Sequence, residues 1–224
     1  MRSRRLGVPE REGVTFEHED EHEHAYVHGY TGDGRRGRET RTMEVSLPWV
    51  SPRRPVVRLV RIETRVLDAL ADGELSNAAL AAGTSFVLDP WLVEARPRRT
   101  LGYRSTQVAI TPEHGDWVTR FVVDDALAQV VGLAGFHGPP DEEGRVEVGY
   151  QIADGYQRRG YGRAAFEALL DVAGRAASVT IVRASIAPTN EASLALVAPY
   201  GFAQIGEQWD DEDGLELLFE RASR

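Results

Sequence analysis

Ordered alternation of apolar and polar positions begins at Val56. From there to Ile62 the two classes alternate as in a strand. Val66, Leu67 and Leu70, then Leu75 and Leu80 after the Asp72-Gly73 break, follow the spacing of two short helices. Trp117 to Val123 and Ala128 to Phe136 read as strands joined by an Asp124-Asp125 turn, and Arg145 to Ile152 as another strand after the Gly138-Pro139-Pro140 loop. Gly160 to Ala173 is a helix with Phe166, Leu169, Leu170 and Ala173 on one face, and Gly174 is placed to end it. Val179 to Ile186 is a further strand, Asn190 to Ala198 a short helix, and Phe202 to Trp209 with Leu215 to Phe219 a closing hairpin. This order predicts an α/β (α+β) fold, with helices packed on a mixed, mostly antiparallel central sheet.

Residues 1–45 lack such a pattern. They are polar, charge-mixed and Gly-containing, with too little apolar content to offset chain entropy, so they read as a disordered tail. His18, His22, His24 and His28 within it have spacings that would suit a divalent metal only on a helix; a solvated tail is the plainer reading, and no metal is expected. Pro48, Pro52 and Pro55 mark residues 46–55 as a stiff linker, which leaves 56–224 as the folded domain.

Composition narrows the chemistry. The 224 residues include no Cys, which excludes disulfides, zinc-thiolate sites and any covalent intermediate on a cysteine. All 26 basic residues are Arg, which excludes Schiff-base and P-loop lysine chemistry. Residues 56–224 hold sixteen Arg against twenty-five Asp and Glu, and so carry the whole net charge of −9. Such a body repels nucleic acid and favours cationic partners, except where arginines gather locally for an anion. With no run approaching the ~18 apolar residues of a membrane span and no signal-peptide pattern, a cytoplasmic protein without membrane contact is expected.

One local gathering stands out. Asp154-Gly155-Tyr156-Gln157-Arg158-Arg159-Gly160-Tyr161-Gly162-Arg163 is a strand-to-helix turn with two glycines and three arginines. A helix start offers unpaired N–H groups and a positive dipole end, glycines let an anion approach the backbone, and the arginines add charge. A turn merely shaped by Gly160 and Gly162 is the competing reading.

Glu147-Val148-Gly149-Tyr150-Gln151-Ile152 followed by Gln157-Arg158-Arg159-Gly160-Tyr161-Gly162 resembles the signature of the GNAT N-acetyltransferase superfamily, and Asn190-Glu191-Ala192-Ser193 with Tyr200-Gly201-Phe202 resembles its second block. The likeness covers about residues 56–222 and is nearest the branch that includes ribosomal-protein N-terminal acetyltransferases. It implies middle strands that splay apart, with acetyl-coenzyme A (acetyl-CoA) as co-substrate in the gap. Gln157, Arg158, Arg159, Gly160, Tyr161, Gly162 and Arg163 would hold the pyrophosphate; Ile152 and Asn190 would meet the pantetheine arm.

The implied reaction is acetyl transfer to a primary amine by direct attack on the thioester. Strand alternation puts Glu147, Gly149 and Gln151 on one face, from which Glu147 would serve as general base; a surface carboxylate beside Arg145 is the competing reading. Where the family carries a Tyr seven residues after the helix-opening Asn, this chain has Val197. Ser193 is then the candidate acid for the thiolate, against the reading of a polar filler, and Tyr200 lies beyond Pro199, one turn later. The amine would be a peptide N-terminus, an amino acid or a small cationic amine. It would sit in a pocket framed by the helices at 63–82 and the 111–115 and 138–140 loops, with His114 and His137 as spare bases. A monomer or homodimer is expected. The alternative is a non-catalytic acyl-coenzyme A sensor or interaction module, suggested by Val197.

Overall fold

The computed structural model describes residues 48–211 and 214–224. Its strands are β1 (Trp49–Val50), β2 (Val57–Arg61), β3 (Arg120–Asp124), β4 (Gln129–Phe136), β5 (Arg145–Ile152), β6 (Ile181–Ile186), β7 (Ala203–Asp210) and β8 (Gly214–Ala222). They form one sheet in the order β1-β2-β3-β4-β5-β6-β8-β7, antiparallel throughout except between β5 and β6.

Helices cover both faces. On one lie α1 (Thr64–Ala71), α2 (Leu75–Ala82) and α3 (Ala95–Ile110); on the other, α4 (Tyr161–Arg175) and α5 (Glu191–Val197). Because neighbouring strand residues point oppositely, β3 sends Phe121 and Val123 into the core under α1 and α3, and Val122 into the core under α4. Both layers are apolar: Leu67, Leu70 and Leu101 fill one, Phe136, Phe166 and Leu169 the other. Each such side chain contributes roughly 1.5–3 kcal/mol by burial.

The parallel junction positions the site. β5 and β6 pair only at Arg145↔Ile181, Val146↔Val182 and Glu147↔Arg183, after which the two strands separate. In β5 the Glu147 carbonyl accepts from His137 N–H (2.8 Å) and the Ala153 N–H just beyond the strand donates to Val131 (3.0 Å), so the odd-numbered residues face β4. By alternation the even-numbered residues bond toward β6: Val148 N–H donates to Arg183 O and closes the Glu147↔Arg183 pair, and beyond it the C=O of Val148 and the N–H and C=O of Tyr150 face the gap.

Three local expectations differ from the structure. Part of the Pro-rich 46–55 stretch lies inside the fold: β1 pairs with β2, and Trp49 is buried against Phe136 with the Arg120 guanidinium 3.8 Å from its ring. Gly174 does not end α4 but lies within it, where a Cβ would come 3.2 Å from the Ser223 carbonyl oxygen. Leu80 is 82% exposed, because α2 turns Ala78 to the core instead. The tail, with His18, His22, His24 and His28, lies outside the described residues. No helix among the described residues is long and apolar enough to cross a membrane.

Candidate functional site

Where β5 and β6 part, a cleft of about 570 Å³ opens. Glu147, Gly149, Tyr150 and Gln151 of β5 line it with Ser185 and Ile186 of β6, Asn190 and Ser193 at the start of α5, Asp210 and Glu216 of the last hairpin, and Arg96, Arg99, Thr100, Tyr103 and Arg104 of α3.

Two polar clusters face this space. In the first, Ser185 Oγ donates to Glu147 Oε1 (2.7 Å), and His137 Nδ1 lies 3.4 Å from the same oxygen. Glu147 Oε2 has no partner among the described residues, so one carboxylate oxygen is fixed and the other is open. Gly149 makes room for the imidazole, since a Cβ there would lie 2.9 Å from His137 Nε2. The His137 side chain is about half accessible, and the ring borders the cleft among the groups that crowd it. Desolvation pushes its pKa below the ordinary 6.5; Glu147 pulls it up, Arg104 down and Asp210 up, and the net direction is down.

In the second cluster the Tyr150 hydroxyl donates to Ser193 Oγ (2.9 Å). Ser193 N–H in turn donates to Asn190 Oδ1 (3.1 Å), the side-chain cap that starts α5. Desolvation raises the Tyr150 pKa above its ordinary 10.0 and outweighs the lowering by Ser193, so the phenol stays protonated at neutral pH.

At the far end of β5 the turn at 154–163 runs into α4. Gly160 has φ +83° and its carbonyl accepts the first helical bond, from Ala164 N–H (3.0 Å). The N–H groups of Tyr161, Gly162 and Arg163 therefore precede the intrahelical ladder and point out of the helix end. Arg158 also sits in the left-handed region (φ +57°). Gln157 Nε2 donates to Ile152 O (3.0 Å) and Asp154 Oδ1 (2.8 Å), and Arg54 reaches Arg159 O (2.8 Å) and Asp124 (3.4 Å). Tyr161 is 4% exposed and its hydroxyl donates to Asp124 (2.8 Å), so its backbone alone is offered to a ligand. A glycine-shaped cradle of unpaired N–H groups with arginines beside it fits a pyrophosphate.

A sequence profile described as the acetyltransferase (GNAT) domain matches residues 70–203, well over half of the chain. The chain belongs to the GNAT acetyltransferase family. Solved structures with the same fold include the microcin C7 self-immunity acetyltransferase MccE in complex with acetyl-CoA and AMP (14% identity, TM-score 0.54, covering 80% of this chain and 99% of that one). They also include the ribosomal L7/L12 α-N-protein acetyltransferase RimL in complex with coenzyme A (14%, 0.54, 77% and 97%) and Mycobacterium smegmatis RimJ in complex with a coenzyme A disulfide (19%, 0.52, 74% and 81%). No curated protein sequence matches the chain.

Within this GNAT domain the residues expected from sequence fall into two groups. Glu147, Asn190 and Ser193 line the cleft; Gln157 to Arg163 form the turn below it; Ile152 sits between, its carbonyl held by Gln157. Tyr200 is bound elsewhere: its hydroxyl donates to Glu167 (2.6 Å), and burial, with Glu167, pushes its pKa up to about 12. The expected acceptor pocket needs correction. No residue of 63–82, 111–115 or 138–140 lines the cleft; α1 spends its apolar face on the core, and α3 forms the wall. Sequence reasoning missed α3, Arg104 and the role of Tyr150. The available signal was Pro97, Leu101, Arg104 and Val108, a helical stripe with an arginine in one core position.

Proposed function

We propose that this GNAT domain transfers the acetyl group of acetyl-CoA to a primary amine by direct attack, and that Glu147 and Ser193 serve opposite ends of the proton traffic. The bound co-substrate supplies an activated acetyl thioester. Similar structures hold acetyl-CoA or coenzyme A, which supports the choice of donor. Residues 157–163 would bind the pyrophosphate through the N–H groups of α4 and the Arg158, Arg159 and Arg163 charges, and Asn190 would contact the pantetheine arm. The gap-facing C=O of Val148 and the N–H and C=O of Tyr150 would pair with that arm as with another strand, and the Tyr150 N–H would polarise the thioester carbonyl.

The amine must lose a proton. An α-amino group with pKa near 8 is roughly 10% neutral at pH 7, whereas a lysine amine near 10.4 is below about 0.1%. Glu147 Oε2 takes this proton, directly or through a water, while Ser185 and His137 hold Oε1 in place. At the other end, Ser193 Oγ receives its hydrogen bond from Tyr150, so that as the serine's own hydrogen passes to the departing sulfur the phenol proton replaces it, and water restores the phenol. The observation that carries the reading is the joining of these two clusters by one cleft at the β5/β6 separation.

The sensor alternative draws on Val197, but the Tyr150–Ser193 pair supplies a donor from another element and supports catalysis. The test is titration calorimetry of acetyl-CoA into the full chain, followed by thiol release with peptide amines. Micromolar binding that Gly160→Glu abolishes, with turnover that Glu147→Gln suppresses, is the expected result. Binding without turnover of any amine would favour the sensor.

A further inference from the structure

Arg104 is 7% exposed, yet among the described residues its hydrogen bonds go only to neutral acceptors: Nε to Thr119 Oγ1 (3.3 Å), Nη1 to Gln107 Oε1 (2.8 Å) and Nη1 to the His137 carbonyl (3.0 Å). No carboxylate pairs with it there. Glu147 attracts it through space, but its fixed oxygen is engaged by Ser185 and its other is turned to no partner. A guanidinium so far out of water is costly without an anion. Its Nη2 has no hydrogen-bond partner among the described residues, and Arg104 lines the cleft.

The surroundings extend the same charge. α3 carries Arg96, Arg98, Arg99 and Arg104 and no acidic residue, within a domain that is acidic overall. Arg96 and Arg99 line the cleft with Arg104. Arginines near a helix N-terminus work against its dipole, so this placement does not serve the helix. Nor does it serve the pyrophosphate turn, whose arginines at 158, 159 and 163 are outside the cleft lining. The lining also holds Glu147, Asp210 and Glu216, so the cleft carries charges of both signs.

We infer that the acceptor is an ampholyte: its amine meets the Glu147 side while an anionic group close to it, a carboxylate or a phosphate, is held by Arg104 with Arg96 and Arg99 at the mouth. The inference rests on the acetyltransferase reading and narrows its acceptor. It disfavours polyamines and other purely cationic amines, which the arginine wall repels.

The test uses three tripeptides with free N-termini, Ala-Glu-Glu, Ala-Gln-Gln and Ala-Lys-Lys, and the full chain. Its readout is the ratio of kcat/KM values, in which a general loss of activity cancels. Preference for the acidic over the neutral peptide by about tenfold is expected, with the basic one poorest. Arg104→Gln should bring that ratio to within about twofold of unity. Since Arg104 also holds the His137 segment, the double variant Arg96→Ser/Arg99→Ser, on exposed positions, should lower the ratio independently. Equal use of the three peptides, or a preference that survives both variants, overturns the inference and leaves the acetyltransferase reading standing. Failure to acetylate the acidic peptide by a chain that binds acetyl-CoA also overturns it. Absence of acetyl-CoA binding in calorimetry would instead remove the acetyltransferase reading itself, and this inference with it.

Discussion

Tyr150 of β5 and Ser193 of α5 are forty-three positions apart in sequence and joined by a 2.9 Å hydrogen bond across the mouth of the β5/β6 gap. The phenol donates and the serine accepts. That direction sets what each can do: the serine proton is available to the sulfur, and the tyrosine orients it.

Ser193→Ala should therefore slow the chemical step by about 10²-fold, and Tyr150→Phe by about tenfold. The double variant should be little slower than Ser193→Ala alone, since the tyrosine acts through the serine. Single-turnover thiol release measures all three. Additive losses would separate the two residues.

Glu147→Gln keeps the shape of the side chain and removes its basicity. A fall of about 10²-fold or more in kcat/KM is expected. Unchanged turnover would take Glu147 out of the mechanism.

His137 links pH to stability. Its folded pKa lies below the ordinary 6.5, so in acid the unfolded chain takes up a proton before the folded one does. Stability is therefore unaffected by this group above pH 6.5 and is lost as pH falls from there through the lower folded value. His137→Gln should flatten that part of a plot of thermal midpoint against pH. A slope that persists in the variant would assign it to other groups.

Trp49 tests how far the fold extends toward the N-terminus. It is buried, packed on Phe136 and covered by the Arg120 guanidinium, so Trp49→Ala should cost about 3–5 kcal/mol in chemical denaturation. A loss below about 1 kcal/mol would mean that β1 is an appendage.

The legible parts of this sequence were those with a period. β5 is legible with its observed ends, and α4, α5 and the last hairpin within a few residues, because alternation, a helical stripe and turn residues agree with one another. α3 was not legible: Leu101 and Val108 are its main apolar core contacts, and the position between them is Arg104, so its stripe looks broken until the cleft is seen. β1 was hidden by its prolines. Of the site, Glu147, Asn190, Ser193 and the 157–163 turn were nameable from motif spacing. Tyr150 was not, since alternation assigned it to the buried face, and only the splay of β5 from β6 lets its hydroxyl reach Ser193.

The ladder that stops at Glu147↔Arg183 also makes β5 two different strands in one. Up to Glu147 it is interior, bonded on both sides; beyond, it is an edge, although it lies in the middle of an eight-stranded sheet. The amide proton of Val148 is held by Arg183 O, that of Tyr150 then exchanges with solvent as terminal ones do, and those of Gly149 and Gln151 are shielded by β4. A ligand lying in the gap would close that alternation, and its arrival would be recorded in the backbone at every second residue.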